Sequence, residues 1–345
     1  MQRRKFSQLP YSGLRIAKSA VTLFLVGGLL FSGDLMGQDT GGFKPGGKPE
    51  VRIFASFGTT LSGGLSHTSF YLGRAYLGYN YNFTEKLSGR IVYDVADQSL
   101  AKYKFTGLLK FAYLKYQTDR WTISGGMIPL PEYGYAEKKW GYRYIYKPSL
   151  DIYGFVDPSD LGISVACNIA SWISADVSLV NGEGFKLTEA DSTFKESAGI
   201  TLTPAKNLSL RAYFDNMGKD GVSQQTLEFI ASYETGSAGI SASFHLRRND
   251  GLTDGHDYHV FSINGRLAMN EKISLIGRYD CNTSVKLENE DDPWNLSDDG
   301  QLFLAAIEFS LAPGVSLAPN FRGWKPTDRT MPFISNFMVS LDLKI

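Results

Sequence analysis

Long hydrophobic runs are absent from almost all of this sequence. Its 345 residues have a mean hydropathy of −0.16, and the one extended apolar run lies at 20–31. A helix that crosses a bilayer needs about 20 consecutive apolar residues. The run is therefore too short to span, and the chain is not a bundle of transmembrane helices.

Cysteine is also scarce, because Cys167 and Cys281 are the only two in the chain. Neither lies near the N-terminus, which excludes a lipid anchor there. Their segments are distant in the predicted strand order, so the two residues lie beyond the roughly 4–7 Å Cα separation that a disulfide allows. Both fall at outward positions, where cysteine acts as a small apolar residue. We expect two free thiols.

The chain lacks an excess of either charge and lacks enzyme signatures. Its 35 basic and 35 acidic residues balance, which argues against a nucleic-acid partner. No G-x-S-x-G motif occurs, and the four histidines lack the spacing of a helical zinc site. A solvated loop explains the acidic residues better than a cation site does; they are Asp291, Asp292, Asp298 and Asp299. The sequence thus predicts no enzyme activity, no cofactor and no metal site.

Residues 1–37 have the features of a secretory signal peptide of the Sec type. Arg3, Arg4 and Lys5 precede the apolar run, and the small Gly37 precedes the predicted cleavage site. An amphipathic helix of the mature protein is the alternative. Residues 38–50 are rich in glycine and proline, which predicts a flexible periplasmic leader. The mature domain then spans residues 51–345.

Segments that alternate between apolar and polar residues fill this domain. About sixteen of them, each nine to fifteen residues long, follow one another to the last residue. A period of two residues is typical of strands with one apolar face, and many such segments in series are the signature of a transmembrane β-barrel. We therefore predict an all-β fold, a closed antiparallel barrel of about sixteen strands. A barrel of this size encloses a water-filled lumen.

The connections between the segments predict how the barrel is oriented. Short turns such as 82–86 and 118–120 alternate with longer connections, among them 130–159, 182–193 and 283–301. Transmembrane barrels have short periplasmic turns and longer external loops. The pattern predicts strict alternation of short and long connections, an even number of strands and two periplasmic termini. No repeat of fixed period is present, which weighs against a propeller.

Charged residues within the segments are assigned to the lumen. An Arg or Lys that faces lipid at the midplane costs about 2–4 kcal/mol, and hardly any charge falls on the apolar phase. In the segment 69–83, for example, Tyr71 and Gly73 are assigned outward and Arg74 inward. Outward aromatic residues near the segment ends predict two girdles at the membrane surfaces. The predicted lumen-lining residues are Arg74, Arg90, Asp94, Asp176, Arg211, Glu228, Arg247, Arg266, Arg278, Asp280, Glu308 and Arg322.

Six short motifs between 70 and 204 resemble, in order, those of the porin O/P-like family of outer-membrane barrels. They are RAYLG at 74–78, AYLKY at 112–116, GMIP at 126–129, DLG at 160–162, NG at 181–182 and LTP at 202–204. The resemblance implies a sixteen-stranded porin, usually trimeric, whose third external loop folds into the pore. Phosphate-selective members line the lumen with arginines. Here inward arginines are mixed with inward acids, which departs from that pattern.

The connection at 130–159 carries the predicted constriction. It shows no alternation and is longer than a passive hairpin needs, and long structured loops are usually functional. Pores select ions by rings of charge at their narrowest point. The predicted constriction residues, set among six tyrosines, are Lys138, Lys139, Arg143, Lys147 and Glu137. Alternatively, the basic residues pair with Glu132, Glu137 and acids of the wall, which would leave no net field.

These features predict a passive diffusion pore for small hydrophilic solutes, with a lean toward phosphate-like anions. We expect it in the bacterial outer membrane, surrounded by lipid and assembled as a homotrimer. A closed barrel that serves as a structural or docking subunit is the alternative function. An outer-membrane hydrolase is a third, and it lacks a nucleophile–base pair.

Overall fold

Sixteen antiparallel strands close on themselves in this chain. A computed structural model describes residues 43–97, 105–190 and 192–345. The predicted signal peptide at 1–37 and the first part of the predicted leader, 38–42, lie outside these residues. Each strand pairs with the next along the chain, and the first strand pairs with the last. The predicted barrel of sixteen strands is confirmed.

Most strands contain 11 to 13 residues, while the first two are longer and the fifth and seventh are shorter. In chain order they are β1 Gly46–Ser62, β2 Leu65–Asn82, β3 Leu87–Asp97, β4 Phe105–Gln117, β5 Trp121–Pro129, β6 Ser159–Ala170, β7 Ile173–Val180, β8 Lys195–Ala205, β9 Leu208–Lys219, β10 Val222–Glu234, β11 Ala238–Arg248, β12 Tyr258–Ala268, β13 Ile273–Ser284, β14 Gly300–Ala312, β15 Val315–Pro326 and β16 Ile334–Lys344.

Two short helices lie in the connection 130–158, which is called the inner loop below. They are α1 Pro131–Trp140 and α2 Ser149–Ile152. Pro131 suits the first position of α1 because it has no N–H that would need a partner. The helix ends at Gly141, which adopts φ 76° and donates its N–H to the carbonyl of Glu137. Among the described residues, no helix is long and apolar enough to cross a membrane.

The two rims of the barrel differ in their connections. One rim carries both strand ends that lead to the termini and seven turns of two to four residues, such as 118–120 and 313–314. The other rim carries the longer connections, including the inner loop. The predicted strict alternation of short and long connections is wrong, however. Two connections on the long-loop rim, 63–64 and 220–221, contain only two residues. Both pairs have positive φ at both positions, which closes a hairpin in two residues.

The first strand begins earlier than the sequence predicts. β1 starts at Gly46, inside the segment 38–50 that was assigned to a leader. Residues 46–50 pair with β2, and among the described residues they have no second strand neighbour. A strand with one free edge tolerates Pro49, which cannot donate to a ladder. Glu50 therefore belongs to the barrel wall, where its carboxylate contacts Arg90.

Two bulges change the predicted facing of side chains. Phe54 pairs with Arg74 and Ala55 pairs with Leu72, so Gly73 is an extra residue in β2. The outward assignment of Tyr71 is consequently wrong, because Tyr71 lies opposite Ser56, whose hydroxyl bonds the buried Ser340 of the inner face. A bulge inserts one residue and reverses the alternation beyond it.

The second bulge adds an inward cation. Val92 pairs with Phe111 and Tyr93 with Leu109, which leaves Lys110 as the extra residue in β4. Its side chain is buried, and its ammonium lies 3.2 Å from the hydroxyl of Tyr76. Lys110 is therefore a lumen residue that alternation alone did not identify.

The buried apolar residues lie inside the barrel, between the inner loop and the wall. One cluster joins Tyr133, Leu150 and Phe155 of the loop to inward residues of β7, β9, β10 and β12. A second cluster joins Trp140, Tyr144 and other loop residues to inward residues of β1–β3 and β13–β15. The core of this protein is thus formed by the loop, while the large outward side chains are exposed.

Candidate functional site

The inner loop crosses the barrel interior and bonds to strands around the wall. Its hydroxyl groups pair with inward polar side chains of β9, β11, β13 and β14. The pairs are Tyr135 with Ser209 at 2.7 Å, Ser149 with His245 at 3.1 Å, Tyr153 with Asp280 at 3.2 Å and Tyr144 with Glu308 at 2.9 Å. On another part of the wall, Arg143 donates to the hydroxyl of Tyr76 on β2 at 3.3 Å. The loop therefore narrows the lumen.

Buried arginines of the wall hold the loop in place. Arg211 on β9 contacts Glu132 of α1 at 2.5 Å and Asp176 on β7 at 2.7 Å. Arg247 donates to the carbonyl of Phe155 and lies 3.3 Å from Asp250. These guanidinium groups are nearly solvent-free and engaged by the protein itself. They act as supports of the loop, and their charge is compensated.

The predicted constriction residues do not form one cluster. Lys139 pairs with Glu234 on β10 at 3.1 Å, and Arg143 is buried with Asp151 at 2.6 Å. Lys147 is partly exposed and also contacts Asp151, at 3.2 Å. Burial alone would raise the pKa of the Asp151 carboxyl, but Arg143 and then Lys147 outweigh burial and hold that pKa well below its usual range. Pairing of this kind is the alternative that the sequence left open.

The remaining two predicted constriction residues, Glu137 and Lys138, line a cavity of about 310 Å³. Arg52 on β1 lies across this cavity, with Arg143 at its side. The guanidinium of Arg52 is held by Asp342 on β16 at 2.8 Å. Glu137 and Lys138 of α1 and Arg52 of β1 therefore line the same cavity.

The other predicted lumen residues fall into paired and unpaired groups. Arg74 contacts Asp94 at 2.9 Å, Arg90 contacts Glu50 at 2.5 Å, and Arg278 contacts Asp280 at 2.6 Å. Two arginines have no carboxylate partner among the described residues: Arg322 stacks over the ring of Tyr146 at 4.9 Å, and Arg266 donates to the carbonyl of Gly236 at 3.4 Å. Glu228 lies fully buried beside His245.

A group of cations gathers where the inner loop meets the connection 181–194. It consists of Arg74, Lys110, Lys147 and Lys186, and is called the cationic cluster below. Burial, followed by the nearby Lys147 and Arg74, lowers the pKa of Lys186. Desolvation and the neighbouring cations therefore both disfavour the charged ammonium of Lys186. Two nearby acids are engaged, because Asp94 binds Arg74 and Asp151 binds Arg143, while Asp157 offsets part of the charge of Lys186.

Sequence reasoning missed several members of the interior, and three of them are cations that bear on the site. Lys110 is inward because of a bulge, Lys186 lies in the connection 181–194, and Arg52 falls at the edge of the first predicted strand. Alternation could have identified Arg52 as inward, because Phe54 and Ser56, two and four positions later on β1, also face inward. No local signal identifies the other two. Among the described residues, no group of His, Cys, Asp or Glu could hold a metal ion.

The outer wall is apolar and carries aromatic residues toward both rims. Phe83, Trp121 and Tyr233 are exposed near the short-turn rim, and Phe214 and Phe337 are exposed toward the other. Cys167 pairs with the outward Trp121, and Cys281 pairs with the outward Phe261. Both cysteines are free, as the sequence predicts. An apolar belt with aromatic edges is suited to a bilayer.

Solved structures with the same fold include an outer-membrane channel and a porin. OprB of Pseudomonas putida is 10% identical, with a TM-score of 0.67 over 87% of this chain and 94% of that chain. The outer membrane channel DcaP of Acinetobacter baumannii is 12% identical, with a TM-score of 0.64 over 88% and 99% of the two chains. An anion-selective porin from Comamonas acidovorans is 10% identical, with a TM-score of 0.63 over 88% and 100%. The sequence matches no family model and no curated protein. At these identities the likeness concerns the fold.

Proposed function

We propose that this protein is an outer-membrane channel through which small hydrophilic solutes diffuse passively. The observation that carries the proposal is the division of the sixteen-stranded wall into an apolar outer face and a charged inner face. The inner loop narrows the interior without being part of the wall, which is the arrangement expected of a size filter. The structural neighbours that are described as a channel and as a porin support the same function.

Anions are the solutes that this interior favours. The four cations of the cationic cluster, together with the neighbouring Arg143, face three carboxylates, those of Asp94, Asp151 and Asp157. A low-dielectric wall concentrates the field of such charges and raises the local concentration of counter-ions. The similar fold of an anion-selective porin agrees with this preference. Phosphate-like ions are among the small multivalent anions that would benefit.

The proposal also covers the localisation and the oligomeric state of the protein. A Sec-type signal peptide at 1–37 would export the chain, and the apolar belt would insert into the outer membrane. The homotrimer that the sequence resemblance implies belongs to the same proposal. Mass determination of the detergent-solubilised protein tests it, since a mass of one chain would contradict a trimer.

Liposome swelling tests the channel function directly. The refolded protein is incorporated into liposomes, which are then diluted into isotonic solutions of neutral sugars of increasing size. A diffusion channel predicts fast swelling with small sugars and a sharp decline as the sugar grows. A closed barrel that serves as a docking subunit predicts no swelling with any sugar, and that result would contradict the proposal.

A further inference from the structure

The first turn of α1 rests on a buried group of carboxylates. Glu132 is 1% exposed, and Glu228 and Asp215 of the wall are completely buried. The carboxyl groups of Glu132 and Glu228 lie close enough to interact directly. Two like charges at such a distance and in such surroundings cannot both be ionised without a large cost.

Several polar atoms in this group have no hydrogen-bond partner among the described residues. Both oxygens of Glu228, one oxygen of Glu132, one of Asp215 and Nδ1 of His245 are in this state. Buried polar atoms are ordinarily bonded, and each exception needs a physical explanation. A proton on one of two adjacent carboxyl groups supplies such a bond, because a protonated carboxyl donates and the ionised one accepts.

The charges around Glu132 and Glu228 do not balance. The carboxylates are those of Glu132, Glu228, Asp176 and Asp215, and the guanidinium groups that face them are those of Arg211 and Arg247. The ring of His245 is completely buried. The charged and titratable groups that face the pair are Asp176 on β7, Arg211, Tyr213 and Asp215 on β9, His245 and Arg247 on β11, Tyr258 on β12 and Tyr135 on α1; Arg278 and Asp280 on β13 face His245. Arg278 and Asp280 neutralise each other, and Arg247 also forms an ion pair with Asp250. The group therefore lacks positive charge.

We propose that Glu132 and Glu228 share one proton while the inner loop is docked, so that docking of the loop is linked to pH. The bound proton removes the repulsion between the loop and β10, and Arg211 then holds the remaining negative charge at 2.5 Å. Loss of the proton leaves an extra buried negative charge at the start of α1, and that charge favours release of this helix from the wall.

The direction of the pH dependence follows from the two states of Glu132. In water the carboxyl ionises near its ordinary pKa of about 4.3. Burial, and then Glu228, raise the pKa of docked Glu132 well above that value. At pH values between the ordinary pKa and the raised pKa, the protein with a docked loop holds one more proton than the protein with a released loop. Docking is therefore fully present at low pH and weakens as pH rises, by up to about tenfold in its equilibrium constant per pH unit.

Hydrogen exchange of residues 131–140 tests this linkage in the full chain, refolded in detergent micelles, at about pH 5 to 9. Protection factors corrected for intrinsic exchange report docking, and they do not depend on whether the barrel conducts. The variants are Glu228→Gln and Glu132→Gln, each of which leaves a single ionisable carboxyl in the pair. Glu234→Gln is the matched control, because Glu234 lies on the same strand and contacts Lys139 of the loop but is half exposed.

The expected result is a fall of protection with rising pH in the wild type and in Glu234→Gln. Protection in the other two variants should fall less steeply with pH, because each variant keeps only one of the two repelling carboxyl groups. Two outcomes would overturn the inference: protection in the wild type that is independent of pH, or a slope that is undiminished in both Glu228→Gln and Glu132→Gln. The second variant guards against a folding failure of the first, since Glu132 lies outside the strands.

Discussion

Arg278 on β13 donates a hydrogen bond of 2.6 Å to the backbone carbonyl of Lys147, in the middle of the inner loop. The same guanidinium is held by Asp280 at 2.6 Å and lies over the ring of Trp140. One wall arginine thus contacts both the last residue of α1 and the segment that precedes α2. An inward arginine that the sequence assigned to the lumen lining therefore contributes to the position of the constriction.

Replacing Arg278 with Met should weaken the loop and lower the stability of the barrel. Asp280 would remain completely buried without its partner, and breaking a buried pair costs about 3–5 kcal/mol. The free energy of unfolding in urea measures this loss. Arg266→Met is the control, because Arg266 makes only a 3.4 Å hydrogen bond to a carbonyl at the short-turn rim. Equal losses in both variants would contradict the assigned role.

Gly199 on β8 is expected to be intolerant of a side chain. A Cβ atom there would lie 2.3 Å from Nη2 of Arg211 and 2.9 Å from an oxygen of Asp176. Gly199→Ala should displace the guanidinium and cost about 1–3 kcal/mol of unfolding free energy. Gly125→Ala has open space at its Cβ and should change stability by less than about 0.5 kcal/mol. An unaffected Gly199→Ala protein would refute the close packing around Arg211.

The ion preference should depend on the cationic cluster. Lys186→Glu should shift the reversal potential in a salt gradient toward cations at low ionic strength. The shift should fade near 1 M salt, where the screening length falls to about 3 Å. Lys86→Glu, in an exposed turn on the short-turn rim, should have a much smaller effect. A Lys186→Glu channel with unchanged selectivity would remove the cluster from the account of ion preference.

Cys167 and Cys281 should remain unpaired thiols in the folded protein. They lie on β6 and β13, which are separated by six strands on one side of the barrel, and both point outward. Mass spectrometry of peptides from the non-reduced protein should recover both as free cysteines. A peptide that links Cys167 to Cys281 would contradict the strand order.

The fold could be predicted from the sequence because alternation and turn position are local signals. Each strand carries its own period of two, so sixteen segments could be counted without knowledge of their neighbours. Bulges escaped prediction because an extra residue such as Lys110 is defined by the pairing with another strand. The early start of β1 escaped for the same reason, since only β2 reveals that residues 46–50 are paired.

The interior was less predictable than the wall. The sequence identified the inner loop and its cations, yet it could not show that Arg143 is buried against Asp151 while Lys138 reaches a cavity. Those outcomes depend on how the loop packs across the barrel. The alternation pattern assigned Arg211 to the inner face, but its partner Glu132 lies 79 positions away in the chain.

Single-channel recording in planar bilayers tests the central claim most directly. The refolded wild-type protein is added to one side of a bilayer in a salt gradient, and both conductance and reversal potential are measured. The account predicts discrete, lasting conductance steps and a reversal potential on the anion-selective side. A protein that inserts as a folded barrel but produces no conductance steps would contradict the proposed channel.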